Sequence, residues 1–484
     1  MQVQVLTVGP FDQTFTYEYD ENSVSLSLGQ VVLVPLGRRL VWGVVWSTDP
    51  LSEFAGPLKS IHTVSLFILP AQSVRFIQWV ANYTLIPLGM VLKMVLALPG
   101  GEFSKILKKP QVMAKPLYTF DHTVQLSEDQ HQASQSVAAS FGSFQPFVLD
   151  GVTGSGKTEV YLDAIEQVLQ NQGQVLVLLP EISLTTQWLD RFKRRFHGPP
   201  VLWHSGVALK DKRQAWQQVI MGHACVVVGA RSALFLPFKN LHLIIIDEEH
   251  DDSYKQHEQS HYHARDMAVV RAQLSHIPIV LASATPSLET IYNIQRGKYR
   301  HLQLKERFAN AMLPAVNIID MKKQPRDTWI SEALKEAIKS CLAKKEQVLL
   351  FLNRRGYAPL TLCRGCGHRF MCPACSVWLV QHTQGQAINL RCHHCGFQHP
   401  LPPLCPSCQE QNTFVACGPG VERVAEEARK TFPHAQTLIV TSDHLSSTQT
   451  LTALMTTIHN KQADIIIGTQ VLAKGHHFPF LTLV

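Results

Sequence analysis

No apolar run in this chain approaches the roughly 18 residues that a membrane-spanning helix requires. The most tempting stretch, residues 90–98, is interrupted by Lys93. The opening MQVQVLTVGPFDQTFTYEYD has no basic leading segment and meets Asp12 early, so no secretory signal is expected. Nor is there low-complexity sequence, or any repeat outside one cysteine block. These absences lead to the expectation of a cytoplasmic chain with no membrane partner. Charge is scarce as well: 17% of the 484 residues are Asp, Glu, Lys or Arg. Lys plus Arg number 44 against 37 acids, a net charge of +7. That mild basic balance permits a nucleic-acid partner without demanding one. Hydrophobic residues at 45% exclude wholesale disorder, and the length suggests about three or four domains.

The chain changes character along its length. Residues 1–99 carry β-branched and aromatic runs (VQVLTV, TFTYEY, VVLVPL, LVWGVVW) punctuated by turn residues, which predicts a β-rich domain with a more helical end at about 71–98. Residues 100–126, opening on Gly100-Gly101, read as a linker. From 127 to 305, short apolar runs alternate with helical segments, the pattern of buried parallel strands joined by crossover helices. A second such pattern covers 306–362 and resumes over 409–484, with residues 363–408 inserted between its parts. The fold class expected is α/β, with two parallel-sheet lobes, a β-rich N-terminal domain and a cysteine-bearing insertion.

Residues Gly151, Val152, Thr153, Gly154, Ser155, Gly156, Lys157 and Thr158 fit GxxxxGK[ST] between the strand FVLD and a helical segment. Glycines let backbone N–H groups curl around phosphate oxygens, and the helix N-terminus adds partial positive charge. Lys157 would reach the β- and γ-phosphates of ATP, and the Thr158 hydroxyl would bind Mg²⁺. The plainer alternative is a tight glycine turn with a surface lysine. Downstream, the apolar strand LHLIII delivers Asp247-Glu248-Glu249-His250 at its C-terminal end, where open α/β sheets bind ligands. Asp247 is the second expected Mg²⁺ ligand, and Glu248 the group that orients or deprotonates the attacking water.

A cytosolic setting makes clustered thiols a metal signal. Cys363/Cys366, Cys372/Cys375, Cys392/Cys395 and Cys405/Cys408 form four CxxC units, enough for two closed, structural zinc sites of four thiolates each. Spacing alone leaves open the three ways of pairing four units. His393 and His394 are spare candidates once the cysteines fill both sites. Cys225, Cys341 and Cys417 stand apart and are expected to act as buried small hydrophobes. Residues 354–410 hold Arg354, Arg355, Arg364, Arg369 and Arg391 against Glu410 alone, a basic balance suited to phosphate backbones.

The ordered blocks DEEH, Ser283-Ala284-Thr285, Gly468-Thr469-Gln470 and Ala473-Lys474-Gly475 resemble the motifs of superfamily 2 helicases. More narrowly, GVTGSGKTEVY, LLPEISLT, ARSALFLPF, DEEHDDSYKQ, YHARD, SATPS, FLNRRGYAP and GTQVLAKGHHFP resemble the bacterial replication-restart helicases of the PriA (primosomal protein N-prime) family over nearly the whole chain. The resemblance implies two RecA-like motor lobes and ATP-driven 3′-to-5′ unwinding of single-stranded and forked DNA. It also implies work alongside primosome proteins, single-strand-binding protein and the replicative helicase. It places Gln130 as the adenine reader, and nests the cysteines, Cys363, Cys366, Cys405 and Cys408 on one zinc, Cys372, Cys375, Cys392 and Cys395 on the other. DNA contacts are implied for Phe15, Tyr17 and Lys59 at a 3′ end, and for Arg231, Tyr254, Lys255, Tyr262, Arg265, Arg354, Arg355, Thr469 and Lys474 along the motor.

Three departures from the family pattern stand out. The family's acid between the two N-terminal aromatics is Thr16 here, a weaker, uncharged acceptor for a 3′-hydroxyl. The interval 100–126 is too short for the family's winged-helix domain. The chain stops at Val484 just after motif V, before motif VI and its arginine finger, which leads to a second expectation: a non-hydrolysing, ATP- and single-stranded-DNA-binding relative. An RNA helicase of the same superfamily fits less well, because the cysteine block and YHARD match the DNA enzyme.

Overall fold

A computed structural model describes residues 1–20, 25–48, 57–96, 116, 118–180, 186–256, 261–307, 314–321, 328–352, 360–363, 365–384, 387–392, 394–411, 413–417, 421–441, 448–469, 472 and 478–484. The chain divides into two compact units, Met1–Leu313 and Pro314–Val484.

The first unit opens with β1 (Gln2–Thr7), β2 (Phe15–Glu18), β3 (Gln30–Leu36), β4 (Arg39–Ser47) and β5 (Thr63–Ile68), followed by helices α1 (Ala71–Thr84) and α2 (Leu88–Leu96). The strands form an antiparallel sheet in the order β2-β1-β4-β3-β5. One sheet face buries Val3, Val5, Tyr17, Val32, Val34 and Val45, with Phe15 packed at its margin. Of the expected linker 100–126, residues 100–115 and 117 lie outside the described residues.

Then follow α3 (Glu128–Ala138), β6 (Pro146–Gly151), α4 (Lys157–Gln170), β7 (Gln174–Leu178), α5 (Thr186–Phe196), β8 (Val201–Trp203), α6 (Leu209–Met221), β9 (Val226–Gly229), β10 (Leu241–Asp247), β11 (Lys255–Gln256), β12 (Tyr262–His263), α7 (Ala264–Ser275), β13 (Ile279–Ser283), α8 (Leu288–Gln295) and β14 (Arg300–Leu304). Seven strands make one all-parallel sheet, β14-β6-β13-β10-β7-β9-β8. Its apolar runs are buried on both faces because side chains alternate. Ile244, Ile246, Leu176 and Leu178 enter one core, while Leu243, Ile245, Val175 and Val177 enter the other. The first core also takes in Phe76, Ile77, Val80, Val91, Leu92 and Val95 of α1 and α2. Trp216 anchors that join. Its ring meets Phe67 edge-on at 5.4 Å, and its Nε1 donates to the Val95 carbonyl at 3.0 Å.

The second unit contains α9 (Glu332–Ala343), β15 (Gln347–Phe351), β16 (Leu360–Cys363), β17 (Val380–Gln384), β18 (Ala387–Arg391), β19 (Gln398–Pro400), β20 (Phe414–Cys417), α10 (Val421–Thr431), β21 (Thr437–Val440), α11 (Thr448–His459), β22 (Ile465–Gly468) and β23 (Leu481–Leu483). A parallel sheet β21-β22-β15-β23 carries the second lobe. The insertion consists of the antiparallel pair β16-β20 and the antiparallel sheet β17-β18-β19. The expected α/β class, with two parallel-sheet lobes, a β-rich N-terminal domain and a cysteine-bearing insertion, is what forms. No described helix is long and apolar enough to cross a membrane.

Candidate nucleotide site, metal centres and DNA-facing residues

Sheet order brings the chemistry together. In the run β6-β13-β10, Ser283 aligns with Asp150 and Asp247 with Ala282. The loop after β6, the end of β13 and the DEEH residues therefore share one edge. Gly154 and Gly156 take left-handed φ angles of 83° and 79°, and Gly156 caps α4. A Cβ on Gly156 would collide with the Gln130 amide. The Lys157 ammonium donates to the Gly151 carbonyl at 2.7 Å. Burial lowers its pKa, against the pull of Glu248, Asp247 and Asp150. The Ser155 hydroxyl, 2% exposed, is a buried orphan inside the loop. A curled loop with a buried spare hydroxyl, a lysine and adjacent acids fits a nucleotide phosphate with its divalent cation.

Gln130 is fixed by its neighbours. Its Oε1 accepts the Ser127 N–H at 2.9 Å, closing a capping box on α3, and its Nε2 donates to the Ser155 carbonyl at 2.8 Å. The expected adenine reader thus braces the phosphate loop.

Asp247 and Thr158, the two expected magnesium ligands, meet through a residue that sequence reasoning passed over. The Tyr161 hydroxyl donates to Asp247 Oδ2 at 2.9 Å, accepts the Trp188 Nε1–H at 2.8 Å and hydrogen-bonds the Thr158 side chain. Asp247 Oδ1 accepts the Glu248 N–H at 3.0 Å. Enclosure of the carboxylate, then the neighbouring Glu248, pushes the Asp247 pKa up to about 6. A cation would relieve that cost. Glu248 sits at φ 49°, a conformation that a non-glycine residue rarely adopts, and its carboxylate lies 3.5 Å from His250 Nδ1.

Glu249 was likewise passed over, and it is the best-connected acid of the four-residue motif. It is wholly buried. Its carboxylate accepts from the Ser287 N–H at 2.7 Å, the Thr290 hydroxyl at 3.0 Å, the Ser287 hydroxyl at 3.2 Å and Arg265 Nη1 at 3.1 Å. His250 Nδ1 and the Ser283 hydroxyl lie 2.8 Å apart. DEEH is therefore tied to SATPS and to the start of α8 by the two side chains that follow Glu248. The three acids in a row, followed by the helix-capping Ser287, were the available signal.

The expected DNA-facing residues divide. Tyr254 is 1% exposed and donates to the carbonyls of Asp247 (2.6 Å) and Leu178 (3.0 Å). Tyr262 packs edge-on against Phe235 at 5.4 Å, and Arg265 is buried on Glu249. All three expected DNA contacts are buried here, and the polar atoms of Tyr254 and Arg265 brace the sheet edge from inside. Lys255 is exposed, and its carbonyl accepts Arg231 Nη1 at 2.7 Å. In the N-terminal module, Tyr17 is 3% exposed, and its hydroxyl donates to the Pro35 carbonyl at 3.2 Å. Phe15 shares its sheet face, and Thr16 points to the other. Lys59 is exposed, and its ammonium reaches the Gly37 carbonyl at 2.8 Å. Thr469 is 3% exposed. Arg354, Arg355 and Lys474 lie outside the described residues.

The eight cysteine sulfurs gather into two groups of four in the nested order, Cys363, Cys366, Cys405 and Cys408, and Cys372, Cys375, Cys392 and Cys395. Sulfur separations of 3.5 Å (Cys363–Cys408), 3.6 Å (Cys366–Cys405), 3.4 Å (Cys372–Cys395) and 3.5 Å (Cys375–Cys392) approach the roughly 3.8 Å edge of a tetrahedron with 2.3 Å metal–sulfur bonds. Local backbone explains how. Cys363 accepts the Gly367 N–H at 2.9 Å, Cys392 the Gly396 N–H at 3.1 Å and Cys405 the Gln409 N–H at 2.9 Å, each through its carbonyl. All three donors have left-handed φ, which folds each CxxC into a knuckle. Cys225 is buried, as expected of a small hydrophobe, whereas Cys341 is half-buried.

Comparison with known proteins agrees with the site. Residues 127–294 match the DEAD/DEAH box helicase family, and residues 4–97 match the 3′DNA-binding domain (3′BD) family. Replication restart protein PriA of Rickettsia felis is 44% identical over 96% of this chain and 70% of its own length. The Treponema pallidum protein of that name is 35% identical over 98% of this chain and 72% of its own. The Haemophilus influenzae protein is 44% identical over 76% of this chain and 50% of its own. With helicase and 3′DNA-binding modules in one chain and this identity along nearly its full length, the chain belongs to the PriA family of replication restart proteins.

Proposed function

We propose that this chain is the ATP-driven motor of a replication-restart helicase, moving 3′-to-5′ on single-stranded DNA at stalled or abandoned forks. The observation that carries the reading is the shared edge of β6, β13 and β10, where Lys157, Thr158, Asp247, Glu248 and Ser283 converge. The backbone of 151–156 and Lys157 hold the ATP phosphates; Gln130 orders the loop and its neighbouring helix. Thr158 and Asp247 would hold Mg²⁺, which would supply positive charge against the developing charge of the phosphates. Glu248 accepts the proton of the water that attacks the γ-phosphate in line. Its backbone, pinned by Asp247 on one side and by Glu249 on the other, keeps the carboxylate at the sheet edge. The His250–Ser283 contact, 2.8 Å long, carries changes at the phosphates toward the start of α8.

Zn²⁺ is the metal that eight thiolates in two tetrahedral groups suit best, in a structural role. On the DNA side, the half-buried Phe15 and the exposed Lys59 at the N-terminal module, and Arg231, Lys255, Arg354, Arg355 and Lys474 on the motor, are the contacts the reading retains. Primosome proteins, single-strand-binding protein and the replicative helicase are its partners in the cytoplasm, by kinship. Single-turnover assays of the parent chain and of Glu248→Gln on a forked duplex test this. Unwinding by the parent, abolished in Glu248→Gln with ATP binding retained, supports the reading; equal hydrolysis by both chains overturns the base assignment.

A further inference from the structure

We infer that a second anion-binding site, built around Arg271 at the opposite edge of the first motor sheet, takes a compact oxyanion of the phosphate class. Arg271 on α7 is 4% exposed and lies where the N-terminal module packs on the motor lobe. Its guanidinium stands 5.4 Å from the ring centre of Phe76 and 5.3 Å from that of Phe238. Nη2 donates to the Leu236 carbonyl at 2.6 Å. Nη1 has no hydrogen-bond partner, and no described carboxylate pairs with the group.

A second orphan lines the same space. The Ser73 hydroxyl on α1 is 3% exposed and also lacks a partner. Arg271 and Ser73 both border a cleft of about 240 Å³ that Lys239, Asn240, His242 and His276 also line, with no acidic side chain among the described residues of its wall. Aromatic stacking alone does not account for this composition, since an apolar side chain would fill the gap between Phe76 and Phe238 without a buried, uncompensated charge. Two buried donors beside further cationic and amide groups call for an acceptor-only ligand with several oxygens. Burial alone pulls the Arg271 pKa down to about 9, which is what a cation without a counter-ion shows. An oxyanion in the cleft would supply that counter-ion.

The cleft is separate from the ATP site. Leu241 and His242, at the start of β10, line it, whereas Asp247 ends the same strand roughly 20 Å away at about 3.3 Å per residue. Its ligand is a phosphate group, either free or carried at the end of a DNA strand.

The test uses the full chain with Lys157→Ala, which suppresses phosphate binding at the loop. Calorimetric titration with inorganic phosphate, at ionic strength held constant with chloride, should show one saturable site. Arg271→Met should weaken it about tenfold or more, and Ser73→Ala by a smaller factor. Competition by an oligonucleotide with a 5′-phosphate, but not by its unphosphorylated twin, identifies the strand-borne source; no competition identifies the free ion. Absence of saturable binding, or equal affinity in Ser73→Ala and Arg271→Met, overturns the inference. Should Arg271→Met fail to fold, crystals soaked in selenate decide. An anomalous peak within hydrogen-bond distance of Arg271 supports the site, and its absence refutes it.

Discussion

Removing Arg265 should damage this protein through Glu249, without any direct loss of DNA contact. Glu249 is wholly buried and accepts four hydrogen bonds, one of them charge-assisted from Arg265 at 3.1 Å. Arg265→Met leaves the carboxylate with the Ser287 N–H and two hydroxyls, and with no cation. Breaking a buried pair by deleting one partner costs about 3–5 kcal/mol, because the remaining charge is uncompensated. The position of the carboxylate at the start of α8 moderates this by roughly 0.5–1 kcal/mol through the helix dipole. About 2–4 kcal/mol of local destabilisation is therefore expected. Glu249→Gln keeps the shape while discharging the site, so the double variant should recover much of the loss, with a coupling energy of about 2 kcal/mol. Denaturant unfolding of parent, both single variants and the double variant, followed by Trp188 and Trp203 fluorescence, measures the cycle. Single-stranded-DNA affinity, corrected for the unfolded fraction, should stay within about twofold, less than about 0.5 kcal/mol. Additive single-variant effects, or a large loss of DNA affinity in well-folded Arg265→Met, would refute the brace and restore the DNA-contact reading.

Tyr254→Phe should lower stability by about 1–2 kcal/mol through two lost hydrogen bonds to carbonyls, yet leave single-stranded-DNA affinity unchanged by fluorescence anisotropy. Gly156→Ala should weaken ATP binding at least tenfold, about 1.4 kcal/mol, since the new methyl meets the Gln130 amide and the backbone there is left-handed; calorimetry reads it. Undenatured protein should contain two zinc ions by elemental analysis, and Cys372→Ser should lose one while ATP affinity persists. Gly367→Ala should loosen only the group of Cys363, Cys366, Cys405 and Cys408, by about 1 kcal/mol, because φ there is 75°, visible as faster zinc release to a chromogenic chelator.

Legibility tracked how tightly chemistry fixes spacing. GVTGSGKT, DEEH and the four CxxC units announce themselves because phosphate cradling and tetrahedral thiolate ligation need those residue types at those intervals. Alternating burial of the β10 run was equally readable, since both sheet faces are covered. The sequence could not say which way Tyr254, Tyr262 and Arg265 point. An aromatic and basic segment after DEEH reads as a DNA surface, but the two-residue pairing of β11 with β12 turns Tyr262 inward, and the Tyr254 hydroxyl finds carbonyls at the strand ends. The burial of Tyr17 has a related reason. In a strand, Phe15 and Tyr17 face one side together, and here that side is the core. Tyr161 and Trp188 carry no motif; only the fold sets them against Asp247.

Equilibrium titration of the full chain with a fluorescent ATP analogue and magnesium, in the presence of single-stranded DNA, should show one saturable site, weakened tenfold or more, about 1.4 kcal/mol, in Lys157→Ala and retained in Glu248→Gln. Binding in Lys157→Ala as tight as in the parent would contradict the proposed ATP site.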